Sequence, residues 1–171
     1  PGGEIDVLDP AGYGSLTITK AISIVNEGVG VAGVLASAGG TALTINAGAN
    51  DRIVLRGLTV EGANVSAYGI VFNSGGSLLV SNCFVHGFVA ISGQPDTGSG
   101  IYIKHASGAP VITVSNTTAA NNDYIGIRYI PSGTGGGQFN VIGSQALGNG
   151  YGVTFNSAFT SNADIRGSIV N

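Results

Sequence analysis

The sequence carries little charge. Its 171 residues include six basic and nine acidic side chains, with a net charge of −3 and a pI near 5.0. No basic cluster is present, so the electrostatic footprint of a nucleic-acid partner is missing. A polybasic membrane anchor is missing for the same reason. Sulfur is scarce: there is one cysteine and no methionine. Cys83 therefore has no partner for an intrachain disulfide. Its neighbours Leu79, Val80 and Val85 mark it as a buried small hydrophobe rather than a nucleophile. Two histidines and one cysteine, far apart in sequence, argue against a zinc site. Long apolar runs are absent too. The longest soft stretch is 29–36, interrupted by Gly33, whereas a membrane span needs ~20 apolar residues, so no membrane insertion is expected. No charged N-terminal region followed by an apolar stretch is visible, as a signal peptide would show. Helical periodicity of 3.6 is missing throughout.

What is present is glycine, thirty residues of it, among many Val, Ile, Thr, Asn and Ser. Disorder needs high charge and few β-branched residues. This composition is the reverse, and it predicts an ordered all-β protein punctuated by turns. The length fits a single domain over 1–171.

Two short motifs recur. The first is a small residue, a branched aliphatic, a variable position and a large apolar residue. It begins at Ala42, Gly69, Gly100, Gly126 and Gly152, in steps of 27, 31, 26 and 26. The second reads Leu55-Arg56-Gly57-Leu58-Thr59-Val60, and its Gly or Asn anchor returns at Asn82, Asn116, Gly143 and Gly167. The stretch from Ile18 to Ile24 reads as an earlier copy with one residue of slippage. Two alternating strand motifs at a period near 26 predict a solenoid. Alternation within each strand points Ile70 and Phe72 inward, Val71 and Asn73 outward. The anchors predict a left-handed bend between two sheets, with the Asn82 and Asn116 amides stacked between coils. The fold class expected is a right-handed parallel β-helix of five to six coils. An Ig-like sandwich also uses short strands and Gly-rich turns, but it does not explain the fixed alternation.

These repeats resemble the pectin-lyase-like superfamily of right-handed parallel β-helices over nearly the whole chain. Closer similarity covers residues 2 to about 62. It rests on Gly2-Gly3-Glu4-Ile5-Asp6-Val7-Leu8-Asp9-Pro10, the stretch Leu16 to Ile24, and Asn46-Ala47-Gly48-Ala49-Asn50-Asp51 through Thr59. That portion looks like bacterial β-helix-repeat proteins of unassigned function. The resemblance implies a secreted, cell-surface or periplasmic bacterial protein. Members of that group usually carry a capping segment ahead of the Gly-Gly-Glu element, so one or both ends of this rod are expected to be open. The chain is then a fragment, or its ends are covered by another subunit, or rods stack end to end.

Superfamily enzymes that cleave acidic polysaccharides group their carboxylates on one outward stripe. No such clustered-Asp motif occurs here, and no catalytic residue is assigned. Stacking the coils on the first motif gives one outward column of Thr44, Val71, Tyr102, Arg128 and Thr154. The next is Asn46, Asn73, Lys104, Ile130 and Asn156. Asp96 and Asp123 precede adjacent strands and are expected to meet near Tyr102, Lys104, His105, Tyr124 and Arg128. Tyr102, Lys104, Asp123 and Arg128 are the candidate ligand-binding residues, since tyrosine rings and a guanidinium suit a sugar. Asp96 and Asp123 are weak calcium candidates. The bland reading of Asp96 is an ordinary turn residue in Gln94-Pro95-Asp96-Thr97-Gly98. His86 and His105 read as surface residues, and the glycines 133–137 as a long turn rather than a phosphate loop. No cofactor is expected. The leading expectation is a non-catalytic structural or surface-interaction protein that self-associates through its coil ends. The alternative is a carbohydrate-binding or polysaccharide-cleaving module with polysaccharide as partner. An engineered minimal β-helix is the third.

Overall fold

The computed structural model describes residues 2–157 and 160–170; Pro1 and Asn171, where the sequence begins and stops, lie outside them. Among the described residues every regular element is a strand, and the strands recur in threes. The first coil is β1 (Gly3–Asp6), β2 (Ala11–Gly12) and β3 (Leu16–Ile18). The second is β4 (Ile22–Val25), β5 (Ala32–Leu35) and β6 (Thr41–Asn46). The third is β7 (Arg52–Arg56), β8 (Leu58–Ser66) and β9 (Tyr68–Ser74). The fourth is β10 (Ser77–Ser81), β11 (Phe84–Phe88) and β12 (Ser99–Ile103). The fifth is β13 (Val111–Ser115), β14 (Thr118–Ala120) and β15 (Ile125–Tyr129). The sixth is β16 (Gly137–Ile142), β17 (Gln145–Leu147) and β18 (Tyr151–Phe155). Two strands of a seventh come last, β19 (Ser161–Arg166) and β20 (Ile169–Val170).

Each strand pairs in parallel with its counterparts one coil away. This generates sheet A (β1 to β19), sheet B (β2 to β20) and sheet C (β3 to β18). The chain is a parallel β-helix. The first motif forms sheet C. The second spans sheets A and B and breaks at its anchor, where Gly57, Asn82, Asn116, Gly143 and Gly167 have φ of 68, 53, 46, 58 and 57°. A single left-handed residue turns the chain from one sheet into the next. At Gly57 space is limiting as well, since a Cβ there would lie 2.1 Å from the Asn26 carbonyl oxygen. Gly57→Ala is expected to lower stability by at least ~2 kcal/mol, from the left-handed backbone plus that clash. Urea denaturation checks it, and a loss below about 1 kcal/mol would contradict the close approach.

Two sequence expectations are corrected. The stretch Ile18 to Ile24 is not one copy: Leu16–Ile18 pairs with β6, whereas Ile22–Val25 pairs with β7. Residues 26–31, inserted before β5, hid that division. Asn82 and Asn116 do not build an amide ladder; both side chains are exposed. A left-handed residue at the corner throws its side chain outward. The inward ladder sits one residue later, on Cys83, Thr117, Ser144 and Ser168. The Thr117 hydroxyl accepts the Cys83 N–H, the Ser144 hydroxyl accepts the Thr117 N–H, and the Ser168 hydroxyl accepts the Ser144 N–H, each at 3.2 Å. Cys83 is buried as expected, and burial pushes its thiol up to about 11.

Inside, Ile45, Phe72, Ile103, Tyr129 and their neighbours are fully buried, stacked along sheet C. Towards the later coils the core becomes aromatic. Tyr129 stacks on Phe139 at 5.0 Å and on Phe155 at 5.2 Å between ring centres. His105 belongs to this core, contrary to its reading as a surface residue. Alternation after Ile101 and Ile103 turns it inward, and it is 1% exposed. Its ring lies edge-on between Phe72 and Tyr129, with Nε2 at 2.7 Å from the Gly136 carbonyl oxygen and no partner on Nδ1.

Candidate functional site

The outward face of sheet C carries the expected columns. Strand pairing places Thr44, Val71, Tyr102, Arg128 and Thr154 side by side on successive coils. The second column is displaced at its start, where a register shift sets Asn46 opposite Ser74. The Asn73 amide still donates to the Asn46 side chain at 2.8 Å.

Around Tyr102 the rings and cations interlock. The Arg128 guanidinium lies 4.9 Å from the Tyr102 ring centre and 5.5 Å from that of Tyr124. Lys104 Nζ lies 5.3 Å from the Tyr102 ring centre and 5.9 Å from Tyr68. Tyr68 and Tyr102 are 6.0 Å apart, and Tyr124 and Tyr151 5.8 Å. These contacts join Tyr68, Tyr102, Arg128, Tyr124 and Tyr151 into one band across four successive coils. Each cation over a ring gains electrostatically from the ring quadrupole. At the far end, Tyr124, Arg128, Tyr151 and Thr154 border a shallow hollow of about 180 Å³.

A segment between β11 and β12 folds onto this band. Residues 89–98 form it, and they account for the 31-residue step in the first motif. Asp96, at φ 67°, pairs its carboxylate with Arg128 and accepts the Tyr102 hydroxyl at 3.1 Å. The Tyr68 hydroxyl donates to the Pro95 carbonyl at 3.1 Å. The segment is held internally by Ile91 N–H to the Thr97 hydroxyl and by the Ser99 hydroxyl to the Asp96 carbonyl. Tyr102 is left 6% exposed. Burial pushes its phenol up to about 12, with Arg128 opposing and Asp96 reinforcing the shift. Tyr68 is raised in the same way, by burial first and the Asp96 charge second.

The structure brings together Tyr102, Lys104 and Arg128 of the predicted residues. Asp123 sits beside them with a different role: its carboxylate accepts the Ala90 N–H at 3.1 Å, at the root of the 89–98 segment. The carboxylates of Asp96 and Asp123 thus have separate partners. Among the described residues, no group of three or more His, Cys, Asp or Glu side chains is placed to hold a metal ion. His105 lies beneath the sheet rather than on it. No helix among the described residues is long and apolar enough to cross a membrane. No family model, curated protein or solved structure matches this chain.

A larger hollow, about 970 Å³, lies elsewhere, on the outer face of sheet A near β1. Its floor is Ala21, Ser23, Val25 and Val54, with no ring to stack on, and Arg56 at its edge faces Glu27 at 3.6 Å. The sheet C band offers the richer chemistry despite its smaller hollow.

Sequence reasoning missed Tyr68, Tyr151 and Pro95. A signal existed for the tyrosines. Each of Tyr68-Gly69, Tyr124-Ile125-Gly126 and Tyr151-Gly152 sets a ring at the entry to a first-motif copy. For Pro95 the signal was the 31-residue step itself, which requires a longer loop before that copy of the motif.

Proposed function

We propose that this chain is a non-catalytic surface-interaction β-helix that binds saccharide along the outward face of sheet C. The observation that carries the reading is the band of four tyrosines on four successive coils, knitted together by Arg128 and Lys104. Flat rings with polar edges pack against the apolar faces of sugar rings, and hydroxyl, ammonium and guanidinium groups bind their oxygens. Successive coils lie roughly 4.8 Å apart, so an extended chain laid along the rod passes Tyr124 and Tyr151 on adjacent layers. Support for a binding role without catalysis comes from the carboxylates. General acid–base cleavage needs two facing the scissile bond, but Asp96 is held by Arg128 and Tyr102, and Asp123 by a backbone N–H. Membership of the pectin-lyase-like superfamily and a bacterial extracytoplasmic location accompany this reading.

The test is titration of the protein with plant and bacterial oligosaccharides, alongside a Tyr124→Ala, Tyr151→Ala variant. Both residues lie on the open part of the band and outside the core, so folding is retained. Binding by the parent and a loss of tenfold or more in the variant is expected, as removing two stacking rings removes ~1–3 kcal/mol. If the parent binds no glycan, the reading fails.

A further inference from the structure

Three polar groups of the sheet C band are occupied by two consecutive residues of one loop. Pro95 supplies a carbonyl to the Tyr68 hydroxyl, and Asp96 supplies a carboxylate to both the Tyr102 hydroxyl and Arg128. A carbonyl and a carboxylate presented to hydroxyls and a guanidinium are what a carboxylated ligand would bring. We propose that residues 94–97 are an internal occupant of a carboxylate-binding site formed by Arg128, Tyr102 and Lys104. A uronic-acid-bearing glycan displaces this strap when it binds. The inference rests on the saccharide-binding reading and adds to it both the charge of the ligand and the way access is controlled.

Several features fit a strap rather than fixed scaffolding. Residues 90–97 make none of the backbone bonds between coils, which stop at Val89 and resume at Gly98. Its outer residues Ser92, Gly93, Gln94 and Pro95 are exposed. Its internal bonds, Gln94 N–H to the Ile91 carbonyl and the Thr97 hydroxyl to the Gln94 carbonyl, let it move as a unit. Its root is fixed by the Asp123 carboxylate on the Ala90 N–H, and its exit by glycine at 98, with φ 81°. Beneath it lies a face with a surplus of positive charge. Asp96 neutralises Arg128, and Lys104 Nζ, over two rings, makes no ion pair among the described residues. Lifting Asp96 exposes Arg128 and the ring of Tyr102, both otherwise covered, beside Lys104, which is already exposed. Arg128 is suited to accept a replacement carboxylate because its planar fork is already held between two rings. A neutral sugar brings no group to take over Arg128, so it leaves the strap closed.

In a site that is open only part of the time, apparent affinity falls in proportion to the open fraction. Removing the internal carboxylate therefore tightens binding of the external one. The experiment compares a uronic-acid oligosaccharide with its carboxyl-reduced, neutral counterpart, by calorimetry on the parent and on Asp96→Ala. Thermal unfolding of both proteins shows that the variant is folded. Expected is a gain on the order of tenfold for the acidic oligosaccharide in Asp96→Ala, no gain for the neutral one, and loss of the gain in Asp96→Ala, Arg128→Gln. Equal affinity of parent and Asp96→Ala for the acidic oligosaccharide, with binding present, overturns the strap and leaves the saccharide face standing. Binding of neither oligosaccharide by either protein overturns the face, and the strap with it.

Discussion

Replacing Phe139 by alanine lowers the unfolding free energy by about 3–5 kcal/mol. Phe139 is fully buried, and its ring stacks on Tyr129 at 5.0 Å and lies 6.2 Å from Phe155. The cost of such a truncation depends on whether the surroundings close over the hole. Here they are prevented from doing so. β16 is fixed to β13 and β19, and its coil is fixed through β17 and β18 as well, by parallel pairing on all three sides of the rod. Closing the hole would need a coil to tilt against three ladders at once. The effect is also expected to be local in order, because each coil touches only its neighbours. Hydrogen exchange in Phe139→Ala should quicken first in β16–β20 and last in β7–β12. Urea denaturation gives the magnitude. A loss under about 1 kcal/mol, or uniform exchange along the rod, would refute this account of the core.

The second large effect is acid destabilisation through His105. The buried ring has its Nε2 on the Gly136 carbonyl, an unpartnered Nδ1 and aromatic walls from Phe72 and Tyr129. Burial lowers its pKa, with the Gly136 carbonyl only partly opposing. The folded protein thus holds the ring neutral below the pH at which the unfolded chain takes up a proton, near 6.5. Between those two values the unfolded state binds more protons, so stability falls as pH falls. One proton sets the limit, about 1.4 kcal/mol per pH unit. The contribution is fully present above pH 6.5 and is lost on acidification through the lowered folded value. His105→Phe keeps the ring contacts and removes the proton. The Tyr129 hydroxyl still donates to the Gly136 carbonyl at 2.9 Å. Denaturation of both proteins at pH 7.5 and pH 5 should show a smaller loss in the variant. Parallel losses would show that the acid response lies elsewhere.

Much of the fold and part of the site are legible in the sequence. The αL anchors 57, 82, 116, 143 and 167 are visible because only Gly or Asn satisfies that backbone without strain. The outward column through Tyr102 and Arg128 is visible because two-residue alternation and a fixed period determine neighbours. His105 is misread when its polarity is given more weight than its place in the alternation. Asp96 is half legible. Its turn-forming neighbours are plain, but only chain closure shows that the turn folds back over the sheet instead of away from it. The partners of Tyr68 and Asp123 are backbone groups of that turn, and backbone groups leave no mark in a sequence.

The inward row formed by Cys83, Thr117, Ser144 and Ser168 works as a keyway. From Thr117 on, each rung offers a hydroxyl one residue past the corner, where the N–H of the preceding coil needs an acceptor. Sliding any later coil by one position would take the hydroxyl out of reach of that N–H and turn it to solvent. The apolar core alone tolerates many exchanges among Val, Ile and Leu. The keyway does not. It tells one coil from a shifted copy of the next, in a chain whose coils otherwise look nearly alike.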